Sequence, residues 1–159
     1  MVRKLTAGDF DFIYKLYMHP DTNPWLLYEM MDKKMFEPIY GDLLDQEIIY
    51  IYSEGGTDRG MFKLVPLTHR SSHVVYLGGL AIDPSSAGQG YGFQMIREII
   101  EYARERGFLR IELSAAVINQ KAVRLYTKAG FEKEGILRNY THQRTENRFL
   151  DEVLMSYIM

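Results

Sequence analysis

Two stretches of this chain hold residues whose types and spacing can do chemistry. The first, Gly78 to Gly92, reads Gly-Gly-Leu-Ala-Ile-Asp-Pro-Ser-Ser-Ala-Gly-Gln-Gly-Tyr-Gly, a strand end running into a glycine turn and a helix start. Gly88, Gly90 and Gly92 lack Cβ, so the backbone there can take positive φ and approach a ligand closely. Unpaired N–H groups of Gln89, Gly90, Tyr91, Gly92 and Phe93 can then donate to a phosphate, helped by the positive end of the helix dipole. A glycine turn that only begins a packed helix gives the same letters. A dinucleotide motif from Gly88 needs glycine where Phe93 stands, and a P-loop needs a Gly-Lys-Ser/Thr that is missing. The second stretch runs Asn119-Gln-Lys-Ala-Val-Arg-Leu-Tyr126-Thr-Lys-Ala-Gly130-Phe131. Asn119 reads as a helix N-cap, and Tyr126 lies two turns further on the same face. A phenol with pKa near 10 can hand a proton to a leaving group; ordinary helix-to-sheet packing also explains it.

The elements that must position these residues follow from periodicity. Val2 to Leu5 is a short strand, and Thr6 caps a helix over roughly Asp9 to Met18 that buries Phe10, Ile13, Tyr14 and Tyr17. A turn at Asp21 to Pro24 precedes helical stretches over Trp25 to Met31 and near Pro38 to Leu44. Strands follow at Glu47 to Glu54 and Gly60 to Leu67, joined by Gly55-Gly56-Thr57-Asp58, and then at Val74 to Ile82. A long helix from Gly90 to Arg106 carries Phe93, Ile96, Ile99, Ile100 and Ala103 as one stripe. Leu109 to Ala115 is a strand, the Tyr126 helix comes next, and strands over Glu132 to Tyr140 and Phe149 to Ile158 close the chain. The expected fold is α+β around one sheet, with helices on both faces.

Composition narrows the class. A chain of 159 residues suits one domain, residues 1–159, with a full core. A net charge of −2 gives no reason to expect nucleic-acid binding. No apolar run reaches the roughly 18 residues of a membrane span, and no signal peptide is legible, so no membrane partner and a cytoplasmic location are expected. Zero cysteines remove thiolate nucleophiles and cysteine-based zinc sites. His19, His69, His73 and His142 are scattered without metal-ligand spacing, so no metal is expected.

Taken in order, these blocks resemble the GNAT superfamily of N-acetyltransferases, and the likeness covers essentially the whole chain. Gly130-Phe-Glu-Lys-Glu-Gly-Ile-Leu-Arg138 and Asp151-Glu-Val-Leu-Met155 add to it. The resemblance implies the acyl-CoA N-acyltransferase fold: a mixed, mostly antiparallel six- to seven-stranded sheet whose central strands, here Val74–Ile82 and Leu109–Ala115, splay apart to admit acetyl-CoA. It implies that Gly88, Gln89, Gly90, Tyr91, Gly92 and Phe93 hold the pyrophosphate. Main-chain groups of Leu80, Ala81 and Ile82, just after a bulge at Gly78-Gly79, would hold the pantetheine. Asn119 would lie near the pantetheine and Tyr126 near the sulfur, as the acid for the departing thiolate. The family pattern has Gln or Arg where Ala87 stands, which removes a side-chain contact and leaves the amides.

An amine acceptor with pKa near 10.4 is neutral in only about one molecule in 2,500 at pH 7, roughly 4.6 kcal/mol uphill, so a proton acceptor is needed. Glu112, on a strand beside the cleft, is the first choice for that base, although pairing with Arg110 explains it as well. Glu29, Asp32 and Glu37 are further choices, and His73 another. Trp25, Tyr28 and Tyr40 suit an acceptor pocket or the core. Lys33-Lys34 and the basic residues from Arg138 to Arg148 are solvated faces or a seat for the CoA 3′-phosphate. The acceptor is a small-molecule or peptide amine, and a homodimer through the closing strands is open. A CoA-binding sensor without turnover and a non-catalytic α+β domain are the competing classes.

Overall fold

The computed structural model describes residues 1–159. Its strands are β1 (Val2–Lys4), β2 (Ile49–Glu54), β3 (Thr57–Pro66), β4 (Val74–Ile82), β5 (Arg110–Ala116), β6 (Glu132–Gln143) and β7 (Arg148–Ile158). Its α-helices are α1 (Phe10–Met18), α2 (Lys33–Gln46), α3 (Tyr91–Glu105) and α4 (Gln120–Lys128). The strands form one seven-stranded sheet in the order β1-β2-β3-β4-β5-β7-β6. Only β4 and β5 run parallel, the crossover between them being made by α3.

Helices cover both faces. One core packs α3 and α4 on the sheet through Met95, Ile96, Ile99, Tyr126, Leu113 and Met155; the other packs α1 and α2 through Ile13, Leu16, Phe36 and Tyr40 onto Ile51 and Met61. On α3 the buried stripe is Met95, Ile96, Ile99, Ile100 and Ala103, each large side chain contributing about 1.5–3 kcal/mol. Met95 takes the place expected for Phe93, which is half-exposed beneath the Lys128 ammonium, 4.9 Å from its ring centroid. No helix is long and apolar enough to cross a membrane.

The order of elements agrees with the expectation, with one correction. Trp25 to Met31 is not helical apart from a single turn at Asn23–Trp25. Tertiary bonds have replaced helical ones there. Asn23 Nδ2 donates to the Tyr17 and Tyr28 carbonyls, Gln143 Nε2 donates to the Pro24 carbonyl, and Glu29 accepts from Arg144 N–H and Thr145 Oγ1. This segment is therefore clasped to the β6–β7 hairpin. The helix placed near Pro38 begins earlier, at Lys33, because the Asp32 side chain caps it by accepting from Met35 N–H at 2.8 Å. The closing strands complete the sheet: β7 lies between β5 and β6, leaving Ile136, Tyr140 and Phe149 exposed toward the β6 edge.

The start of α1 is held by charge. Arg3 grips Asp9 with two bonds of 2.8 Å and also reaches Asp58 at 2.8 Å, while Asp9 accepts from Thr6 N–H and Oγ1. The Arg3 bond is the main reason the Asp9 carboxyl is pulled down to about 2. A carboxylate held below its unfolded pKa contributes stability above that unfolded value and loses it as pH falls through the folded one. Stability is expected to drop by about 1 kcal/mol between pH 4 and pH 2 from this group, after discount for solvent screening. Denaturant melts across that window should show the drop in the wild type and a flatter profile in Asp9→Asn.

Candidate active site

The site begins where two strands part. β4 pairs with β5 only at Val74–Arg110, Val75–Ile111 and Tyr76–Glu112. Beyond Tyr76 the β5 side of β4 has no strand partner, while β5 continues bonded to β7 as far as Ala116–Glu152. A bulge accompanies the split. Lys63 faces Gly78 and Met61 faces Ala81, so Gly79 and Leu80 together oppose Phe62 alone. Gly79 takes φ +54°, and the extra residue inverts the alternation. Leu77 and Leu80 both pack toward α3 and α4, and Ala81 packs toward α1 and α2.

The strands part over a cleft of about 840 Å³. Among the residues singled out in the sequence, Leu80, Ala81, Ile82, Gly88, Gly90, Tyr91, Gly92, Phe93, Asn119 and Tyr126 line it. Gln89 does not, and its side chain turns back toward the Ser85 carbonyl. Glu112 is also outside the lining.

The turn before α3 is pinned from below. Asp83 N–H donates to the Arg59 carbonyl, and the Asp83 carboxylate accepts from Ser85 N–H and, at 2.7 Å, from Lys15 Nζ. Burial alone would raise the Asp83 pKa, but the Lys15 bond and its companions bring it below the usual carboxylate value. Arg59 donates to Ser86 Oγ at 3.0 Å and sets its guanidinium 4.8 Å from the Tyr91 ring centroid. A cation thus sits beside the turn where the Ala87 side chain offers none.

Past that support the amides are free. The N–H groups of Gly88, Gln89, Gly90, Tyr91 and Gly92 have no acceptor within the protein, whereas Phe93 N–H already donates to the Gly90 carbonyl. Phe93 therefore leaves the set of free amides. Gly88 and Gly90 are at φ +77° and +84°, as a close-approach turn requires. Gly92 has a different reason to be glycine: a Cβ there would meet Leu125 Cδ2 at 3.2 Å, so its absence lets α3 and α4 come together. Lys121, Arg124 and Lys128 of α4 also line the cleft. Lys33 is instead paired with Asp11 at 2.6 Å, and the basic residues between Arg138 and Arg148 lie elsewhere.

Asn119 caps α4, its Oδ1 accepting from Ala122 N–H at 3.3 Å. Tyr126, two turns on, is buried with its ring 6.0 Å from that of Phe131. Its hydroxyl reaches the cleft. Burial raises the Tyr126 pKa, and Tyr76 and Glu152 raise it further, so the phenol holds its proton.

The carboxylates are distributed differently from the expectation. Glu112 is bound by Arg110 Nε at 2.9 Å, and the same guanidinium reaches Glu134, so Glu112 is half of an ion pair outside the cleft. Glu29 serves the hairpin clasp, Asp32 caps α2, and Glu37 and His73 stay outside the lining. Tyr28 packs on Tyr17 and Tyr40 is buried, while Trp25 does line the cleft. Two carboxylates line the cleft, the exposed Asp21 and Glu152 of β7, and it is Glu152 that is held among other cleft residues. It accepts from Thr141 Oγ1 at 2.8 Å and from Ser114 Oγ, which is itself 3.1 Å from Tyr76 OH. Sequence reasoning missed Glu152. Its signal was an acid on the strand face shared with Leu150 and Leu154, but only the insertion of β7 beside β5 brings it to the cleft.

Comparison with known proteins agrees with this geometry. The model of the Acetyltransferase (GNAT) family matches residues 10–131. A putative [ribosomal protein bS18]-alanine N-acetyltransferase of Bacillus subtilis is 24% identical over 150 residues, covering 94% of this chain and 91% of that one. An uncharacterized N-acetyltransferase of Methanocaldococcus jannaschii is 36% identical over 59 residues; the match covers 37% of this chain and only 26% of that protein. Among solved structures, spermidine N-acetyltransferase from Vibrio cholerae in complex with CoA and spermine superposes with a TM-score of 0.84 at 21% identity, covering 99% of this chain and 94% of that one. Ribosomal-protein-alanine N-acetyltransferase from Brucella melitensis gives 0.80 at 20% identity over 100% and 99%.

The bulge can be tested by stability. A Cβ at Gly79 finds its nearest neighbour, Tyr17 OH, at 3.5 Å, so there is room, but φ +54° disfavours any other L-residue. Gly79→Ala is expected to cost about 1–2 kcal/mol and lower Tm by roughly 3–6 °C in thermal unfolding. An unchanged Tm would contradict the left-handed bulge.

Proposed function

Because the chain belongs to the acetyltransferase (GNAT) family, we propose that it is an acetyl-CoA-dependent N-acetyltransferase acting on a primary amine by direct attack in a ternary complex. The observation that carries this is the run of free amides from Gly88 to Gly92 opening into the same cleft as the Tyr126 hydroxyl. The site suits this donor. Positive-φ glycines let a diphosphate approach the amides, three cations of α4 flank them, and the unpaired edge of β4 offers main-chain groups to the pantetheine amides.

In this reading Leu80, Ala81 and Ile82 bind the pantetheine through their backbone, with Asn119 across from them. Lys121 and Arg124 take the 3′-phosphate. Glu152 accepts the proton of the incoming ammonium, through Ser114 or directly. The amine nitrogen attacks the acyl carbon, the new C–N bond forms and the C–S bond breaks. The departing thiolate takes its proton from Tyr126, and the second proton shed by the attacking nitrogen, passed through solvent, restores the phenol. No acyl-enzyme is involved, since the chain has no cysteine and no histidine lines the cleft to activate a serine. Residues 1–159 act as one domain, the acceptor is a peptide or small-molecule amine, and the enzyme works in the cytoplasm. The exposed apolar residues of β6 and β7 suit a homodimer.

Thiol release from acetyl-CoA against a panel of amines tests the activity. Tyr126→Phe should lower kcat by about 10- to 100-fold with little change in cofactor affinity, as expected for a lost proton donor. An unchanged rate removes Tyr126 from the mechanism. Glu152→Gln should cost about 100-fold near pH 7, with the deficit shrinking as pH rises toward the acceptor's pKa, because the free amine then needs no base. A deficit independent of pH assigns Glu152 a purely structural part.

A further inference from the structure

The acceptor side of the cleft contains an ammonium group that nothing in the protein neutralises. Lys63 of β3 faces Gly78 across the ladder, so it shares a sheet face with Tyr76, and it lines the cleft together with Tyr76, Ser114 and Glu152. Its Cε lies 3.4 Å, and Tyr76 Cε1 3.0 Å, from the point a Gly78 Cβ would occupy. The lysine therefore lies over the glycine, against the tyrosine ring whose hydroxyl leads through Ser114 to Glu152. A side chain at position 78 would close that path.

Lys63 is half-buried, and burial alone depresses its pKa, with no carboxylate acting against it. Of the other lysines, Lys4, Lys15 and Lys33 have a carboxylate partner within 2.8 Å, and the unpaired ones, Lys34, Lys121, Lys128 and Lys133, are exposed to solvent as Lys63 is not. Lysine is seldom buried without a partner, because the lost hydration is not replaced. A second donor stands close by. Tyr17 OH is 3.5 Å from the Cβ position of Gly79, lines the cleft, and keeps its proton because burial raises its pKa.

We propose that the acceptor is an amine that also bears a carboxylate, with its ammonium set toward Glu152 and its carboxylate held by Lys63 Nζ and the Tyr17 hydroxyl. This rests on the N-acetyltransferase reading above and names the substrate class of that same site. A polyamine fits the face poorly, since its second ammonium would be brought up to Lys63. The only other carboxylate lining the cleft is Asp21, whose side chain is 77% exposed.

The test is thiol release from acetyl-CoA with aminocarboxylates of increasing chain length, set against diamines and amino esters of matched length. Lys63→Gln and Lys63→Arg are compared with the wild type. The wild type should prefer an aminocarboxylate over its matched diamine by about tenfold or more in kcat/KM. Lys63→Gln should raise KM for that aminocarboxylate by about tenfold, leave kcat, the acetyl-CoA KM and the amino-ester rate within about twofold, and melt no lower than wild type. Lys63→Arg should keep most of the preference. Diamines preferred by the wild type, or equal losses for all acceptors in Lys63→Gln, overturn the proposal. So does a lowered Tm for Lys63→Gln, which would mean that the ammonium serves the fold. Release with diamines alone overturns this inference and leaves the transferase reading standing; release with no amine at all overturns both.

Discussion

The three-pair contact between β4 and β5 is the constraint on which the rest of the molecule depends. Were that parallel ladder to continue past Tyr76, the sheet would be closed and its central strands fully bonded. Instead β4 leaves β5 and, at Gly79, spends a residue on a bulge against β3 that reverses which side chains meet which core. The consequence is an unpaired strand edge inside the protein. Exposed at a sheet margin, such an edge invites association with another chain. Set at the bottom of a cleft, it is a row of donors and acceptors ready for an extended amide-bearing ligand.

Charge is graded along that cleft. Lys121, Arg124 and Lys128 stand at the end where the free amides of α3 open, and the Glu152 cluster stands beyond the bulge. The helix start adds positive potential to the first end. At the second, a carboxylate with Ser114 and Thr141 bonded to it faces a phenol that burial keeps protonated. In the proposed transfer one proton must leave an amine and another must reach a thiolate, and these two groups are the ones assigned to those steps. Both are fixed by the backbone: Tyr126 by the Asn119 cap and its place on α4, Glu152 by the β5–β7 register.

Local signals were legible where one element carried the whole message. The glycine turn, the Asn119 cap, the α3 stripe and the strand Val74–Ile82 follow from spacing and backbone preference alone, and the structure has them with small shifts of boundary. What escaped was written between distant segments. Trp25 to Met31 has helix-like letters, yet it is tied to the β6–β7 hairpin: Gln143 donates to the Pro24 carbonyl just before it, and the Glu29 carboxylate accepts from Arg144 N–H and Thr145 Oγ1. Glu112 looked poised for catalysis because its own strand borders the cleft, but Arg110, two residues away on the same face, neutralises it. Glu152 could not be placed without knowing that the last strand inserts beside β5 rather than following β6 to the edge. Gly92 shows a subtler limit. The letter was right, but the need for it arises from Leu125 on another helix and not from its own φ.

The central claim is that unpaired amides at the start of α3 take the diphosphate of acetyl-CoA beside the parted strands. Amide chemical shifts of ¹⁵N-labelled protein, followed through titrations with CoA and with pantetheine, address it most directly. CoA should move the Gly88, Gly90 and Gly92 N–H resonances downfield, as expected for new charge-assisted bonds. Pantetheine, which has no phosphate, should leave them in place while shifting Leu80 to Ile82. Saturable CoA binding with those glycine resonances unmoved would contradict the account.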